Sequence, residues 1–103
     1  MADDSVIDEI GRRLARAAPA NSRIVLFGSR ARGDADSGSD VDVLVIEPFV
    51  DDPVQESVRL RGELRGLGLP IDVVVFAQDD AQRRSTVRGT VVERAFREGR
   101  ILA

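Results

Sequence analysis

The sequence predicts a mixed α/β (α+β) domain, because short β-branched runs alternate along the chain with stretches of helical periodicity. Three apolar runs carry the strand signal: RIVLF at 23–27, VDVLVI at 41–46 and IDVVVF at 71–76. The 103 residues show no internal repeat and no linker, so the expectation is one domain over 1–103.

The first segment places Val6, Ile7, Ile10, Leu14 and Ala17 on one helical face. Asp3, Asp4 or Ser5 can cap its start and Pro19 marks its end. RIVLF reads as a buried strand stopped by Gly28. GSRARGDADSGS is glycine-, serine- and aspartate-rich, which predicts a loop with room for one helical turn. VDVLVI is the second strand, closed by Glu47 and Pro48. Asp52 as N-cap, Pro53 at the first helical position and Gln55 at the third predict a helix start. Its apolar stripe is read as Val54, Val58, Leu60, Leu64 and Leu67, with Gly66 and Gly68 as the stop. IDVVVF is the third strand. A last helix is expected around 86–98, carrying Val87, Val91, Ala95 and Phe96 and ended by Gly99. Val91, Val92 and Phe96 cover more than one face of it, which fits core packing or contact with a second subunit. Ile101 and Leu102 can dock as a short terminal strand.

Composition narrows the chemistry. There is no cysteine, which excludes disulfides and thiolate metal sites, and no histidine to act as base or ligand. Lysine is absent, so no covalent lysine intermediate can form. Acid–base or metal work falls to carboxylates, which favour Mg²⁺ or Mn²⁺ over Zn²⁺. The acidic N-terminus lacks an apolar core, and no run reaches membrane-spanning length; the expectation is a cytoplasmic protein without a membrane partner. A net charge of -3 and only four aromatic residues, all phenylalanine, argue against direct nucleic-acid binding.

The chemistry concentrates between residues 28 and 72. Asp40 and Asp42 are two apart at the mouth of a strand, so their carboxylates point to one face, shared with Leu44 and Ile46. Two such carboxylates repel unless a proton or cation compensates. Asp72 interrupts the third strand on the face of Val74 and Phe76. A salt bridge to an arginine would explain Asp72; if the two strands are neighbours, it instead joins the pair. Three carboxylates suit two hard metal ions and in-line phosphoryl or nucleotidyl transfer. Upstream, Gly28 allows close approach of a phosphate and Ser29 offers a hydroxyl. Arg32 can add a fork of donors, and Ser39 another hydroxyl.

Residues 28–42, GSRARGDADSGSDVD, resemble the signature of the DNA polymerase β-type nucleotidyltransferase superfamily, a Gly-Ser pair followed at this distance by Asp-x-Asp. From RIVLFGS to FREGRIL the chain resembles the minimal nucleotidyltransferase branch. The resemblance implies a small mixed sheet flanked by helices. It implies metal binding by Asp40 and Asp42, with Asp72 as third carboxylate. It also implies that Gly28 and Ser29 hold the phosphates of a nucleoside triphosphate, usually ATP, helped by Arg32 and Ser39. An aspartate of ordinary pKa is a weak base at neutral pH, so metal activation of the acceptor is favoured over proton abstraction by Asp72 alone.

About 27 residues follow the third strand, and they offer no evident acceptor domain. The acceptor is therefore expected on another chain. The minimal branch resembles antitoxins paired with HEPN-type toxins, which implies AMP transfer to a toxin tyrosine. Two alternatives stand beside it: a partner-binding antitoxin that needs no catalysis, and a homodimer modifying a small molecule.

Overall fold

Strand β2 (Val41–Glu47) is the spine of the structure, running antiparallel to β1 (Arg23–Phe27) and parallel to β3 (Ile71–Ala77). A short β4 (Arg100–Ile101) pairs antiparallel with β1, giving the mixed order β3-β2-β1-β4. The computed structural model describes residues 4–36 and 38–103. Asp3, one of the expected caps of the first helix, lies outside them.

The period-2 alternation of β2 sorts the core into two layers. Val41, Val43 and Val45 face one side, with Ile24, Leu26, Val73 and Val75 from the neighbouring strands. Helix α1 (Asp4–Ala17) covers that side with Ile7, Ile10 and Leu14, and α3 (Pro53–Gly62) covers it with Leu60. Leu44 and Ile46 face the other side with Val25 and Phe27. There they meet Ala81 of α4 (Gln78–Arg84) and Val92 and Ala95 of α5 (Val91–Glu98). Helix α2 (Ser29–Arg32) is the single turn expected after Gly28. Among the described residues no helix is long and apolar enough to cross a membrane.

Three sequence expectations change. Helix α3 starts as expected, with the Asp52 carboxylate accepting from Gln55 N at 3.1 Å, but it ends at Gly62 rather than near Gly66. Its apolar residues do not form one stripe: Leu60 and Leu64 are buried, whereas Val54 and Val58 are 74% and 56% exposed. Val54 and Val58 are four apart and share a face, while Leu60 is nearly half a turn away from Val58. Only one of those faces can lie on the sheet. The last helix, expected around 86–98, is shorter, α5 alone at Val91–Glu98, and α4 (Gln78–Arg84) before it has no counterpart in the expected pattern. Thr90 caps α5, its hydroxyl accepting from Glu93 N at 3.2 Å, while the Glu93 carboxylate accepts from Gly89 N at 3.0 Å. This Thr-x-x-Glu pattern, with the glutamate reaching the N–H just before the cap, starts a helix, and it leaves Val87 in the turn before it, 53% exposed.

The third change is Glu47. It does not merely close β2 but ends it facing α3, with 2% exposure. Beside it, the Glu56 carboxylate accepts twice from Arg59, both at 2.7 Å. Arg59 Nη2 also donates to Ala17 O at 2.9 Å, tying α3 to the end of α1. Burial first, then the hydrogen bond and charge of Glu56, push the Glu47 carboxyl up to about 7.

Candidate active site

The register places Asp42 directly opposite Asp72 across the parallel β2–β3 pair. Both lie at the first turn of their strands, on the face of Leu44, Ile46, Val74 and Phe76, as the alternation requires. On the other side Asp42 is opposite Phe27, so the chain turns at Gly28 immediately beside it. Gly28 has φ 77, and a Cβ there would run into the Asp42 carboxylate, with Cγ only 3.2 Å away. Glycine is therefore required twice at this position, for the backbone and for the space.

An open cleft of about 530 Å³ gathers these groups: Gly28, Ser29, Asp42 and Asp72 on its floor, Val91, Arg94 and Glu98 of α5 on one wall. Arg32 and Arg61 also line it. Asp42 is half-buried, Asp72 exposed. Burial, then the charges of Asp72 and Asp40, push the Asp42 carboxyl above its ordinary value, while Arg94 and Arg32 pull against them. Among the described residues neither Asp42 nor Asp72 forms an ion pair with an arginine. The salt-bridge explanation of Asp72 thus has no partner there.

The other expected site residues are placed less simply. Asp40 precedes β2 and is exposed in the loop, close enough for its charge to act on Asp42. Among the described residues, no three carboxylates gather as a ready-made metal-ligand cluster. Asp40 lies outside the ladder that fixes Asp42 opposite Asp72. Arg32 lines the cleft, but its Nε donates to Asp34 at 3.1 Å and its Nη1 to Glu98 at 3.1 Å. The Ser39 hydroxyl is engaged within its own loop, accepting from Asp36 N at 3.1 Å and donating to Asp36 Oδ1 at 3.2 Å.

Arg30 was not singled out by the sequence. Its Nη2 donates to Ser39 O at 2.7 Å and its Nε to the same oxygen at 3.3 Å. It thereby clamps the loop that delivers Asp40 onto α2. The sequence signal was its place inside the Gly-Ser to Asp-x-Asp spacing, where a long donor can bridge the loop. Arg61 and Arg94 carry no sequence signal; only the packing of α3 and α5 brings them to the cleft.

Paired strand aspartates beside a glycine–serine turn put oxygen ligands and backbone N–H groups together, the donor chemistry that hard cations and phosphates take. The sequence matches the nucleotidyltransferase domain family over residues 7–101, and the chain belongs to that family. The fold is similar to that of a protein from Sulfolobus solfataricus designated a nucleotidyltransferase and solved at 1.40 Å. That likeness has a TM-score of 0.59 and 26% identity, over 77% of this chain and 70% of the other. A crystal structure of a toxin–antitoxin with AMP-PNP is similar in fold at a TM-score of 0.65 and 21% identity, over 93% of this chain and 72% of that one. None of the curated proteins matches the sequence significantly.

Proposed function

We propose that this chain is a metal-dependent nucleotidyltransferase that moves AMP from ATP to a hydroxyl of a partner protein, a tyrosine of a HEPN-type toxin, and so acts as its antitoxin in the cytoplasm. The observation that carries the reading is the register: Asp42 lies opposite Asp72, with the Gly28–Ser29 turn against its other side. Family membership supports the transferase chemistry. Likeness to a toxin–antitoxin structure with AMP-PNP supports a nucleoside triphosphate and a protein partner.

The donor set fits the cation. Asp40, Asp42 and Asp72 supply only oxygen, the chemistry Mg²⁺ and Mn²⁺ prefer, and the mutual repulsion at Asp42 is relieved by positive charge. A bound cation would neutralise phosphate charge and favour in-line attack of the acceptor hydroxyl on the α-phosphorus, with pyrophosphate leaving and the hydroxyl proton passing to solvent. Gly28 lets a phosphate approach the backbone, Ser29 offers its hydroxyl, and Arg32 stands at the rim. Ser39 and Arg30 hold the loop that presents Asp40. Asp72, exposed at the first turn of the edge strand, faces the incoming hydroxyl and orients it.

The test is to incubate the purified chain with ATP, Mg²⁺ and the protein encoded by the neighbouring gene. The partner's mass should rise by one AMP, and Asp42→Asn and Asp72→Asn should abolish the gain. A partner left unmodified by the wild type refutes the reading. A variant that neutralises the partner fully without modifying it would replace catalysis by simple binding.

A further inference from the structure

Most arginines on the helices of this protein are taken by a carboxylate one turn away: Arg13 by Glu9, Arg59 by Glu56, Arg84 by Asp80 and Arg97 by Glu93. Arg94 departs from that habit, as does Arg61, the other arginine of the cleft lining that is unpaired among the described residues; of the two, Arg94 is the one whose charge acts on Asp42. Among the described residues its guanidinium forms no ion pair. Val91, Arg94 and Glu98 are spaced three and four apart, so they share the face of α5 that walls the cleft. Glu93 and Arg97 close their own pair at 2.8 Å.

Glu98 is four residues after Arg94 and is the carboxylate that could neutralise it. It accepts instead from Arg32 at 3.1 Å. The exchange has a consequence for both arginines. Arg32 has two of its nitrogens committed, to Asp34 and Glu98, while Arg94 lines the cleft with Asp42 and Asp72 and, among the described residues, has no ion pair. An unneutralised guanidinium facing a cleft is matched by a group with several anionic oxygens.

We infer that Arg94 grips the phosphates of the nucleotide from the α5 wall, across from the Gly28–Ser29 turn, and that Arg32 chiefly braces that wall through Glu98. The inference rests on the reading of the cleft as a nucleotide site. It assigns phosphate binding to a residue outside the Gly-Ser to Asp-x-Asp segment.

The experiment is calorimetric titration of the whole purified chain with ATP and AMP-PNP in Mg²⁺, alongside adenosine. Arg94→Gln, which keeps an unbranched polar side chain and helix propensity, should weaken binding of both triphosphates by about tenfold, the scale of one lost charge-assisted contact. Adenosine, lacking phosphate, should bind wild type and variant alike. Arg97→Ala removes the same charge from a residue of the same helix that does not line the cleft, and should match wild type. Arg94→Ala, checked by circular dichroism, should repeat the Arg94→Gln result. A folded Arg94→Gln that binds ATP as wild type does overturns the inference. So does an equal loss for ATP and adenosine, which would mean a displaced helix. If wild type binds no triphosphate, the reading of the cleft itself fails and the inference falls with it.

Discussion

Replacing Glu47 by glutamine should raise stability above neutral pH and leave it nearly unchanged at pH 5. Glu47 is 2% exposed, and its Oε2 has no hydrogen-bond partner. Its neighbour Glu56 is held ionised by Arg59, which lowers the Glu56 carboxyl. A protonated Glu47 can donate to that carboxylate; an ionised one meets it as a like charge in a buried place. Burial and Glu56 raise the Glu47 carboxyl from an ordinary 4.5 to about 7. A folded-state pKa raised above the unfolded value contributes stability that is fully present below pH 4.5 and lost as pH rises through 7. The loss amounts to about 3 kcal/mol at 1.36 kcal/mol per pH unit. Glu56 moves the opposite way, and its contribution disappears only as pH falls below 4.5, so the window from 4.5 to 7 belongs to Glu47. Glutamine keeps a donor toward Glu56 and removes the titration. Urea denaturation of both proteins at pH 5, 6, 7 and 8 should show wild type losing stability relative to Glu47→Gln across the series. Parallel curves would refute the reasoning.

Gly28→Ala forces a left-handed alanine and drives its methyl against Asp42; it should cost about 1–2 kcal/mol from the backbone alone and abolish nucleotide transfer, measured by denaturation and by partner modification. Arg30→Ala releases Ser39 O and with it the loop carrying Asp40; transfer should fall about tenfold or more through misplacement of that carboxylate, while melting temperature barely moves. Leu60→Ala opens a cavity between α3 and the sheet and should destabilise by about 2–5 kcal/mol, whereas Val54→Ala on the exposed face of α3 should stay within about 0.5 kcal/mol. Equal effects at Leu60 and Val54 in thermal melts would show that the two faces of α3 are assigned wrongly.

Much of this protein was legible before any tertiary contact. The three main strands, the single turn after Gly28 and the capped start of α3 follow from residue pattern, because each depends on neighbours within a few positions. Asp42 and Asp72 could also be assigned to the faces of Leu44 and Val74, since alternation along a strand is local. Glycine at 99 was legible as a stop, but for an incomplete reason. Its φ is -80, and what requires glycine is contact: a Cβ would sit 2.7 Å from Val25 Cγ1 and 2.9 Å from Leu26 O.

Tertiary structure decided which strands are neighbours, and so whether Asp72 joins Asp42 or stands apart. That is a matter of long-range pairing, on which a strand's own residues are silent. It also chose between the two apolar faces of α3, because only the sheet can say which one it covers. The same holds for the carboxylates and arginines. Glu47 is a strand end in sequence and a buried acid in space because Glu56 and Arg59 fold over it. Arg32, expected at the phosphates, is held by Glu98, 66 residues away, while Arg94, on which the sequence is silent, lines the cleft with Asp42 and Asp72. Periodicity sets the direction of a side chain; only packing supplies what it meets.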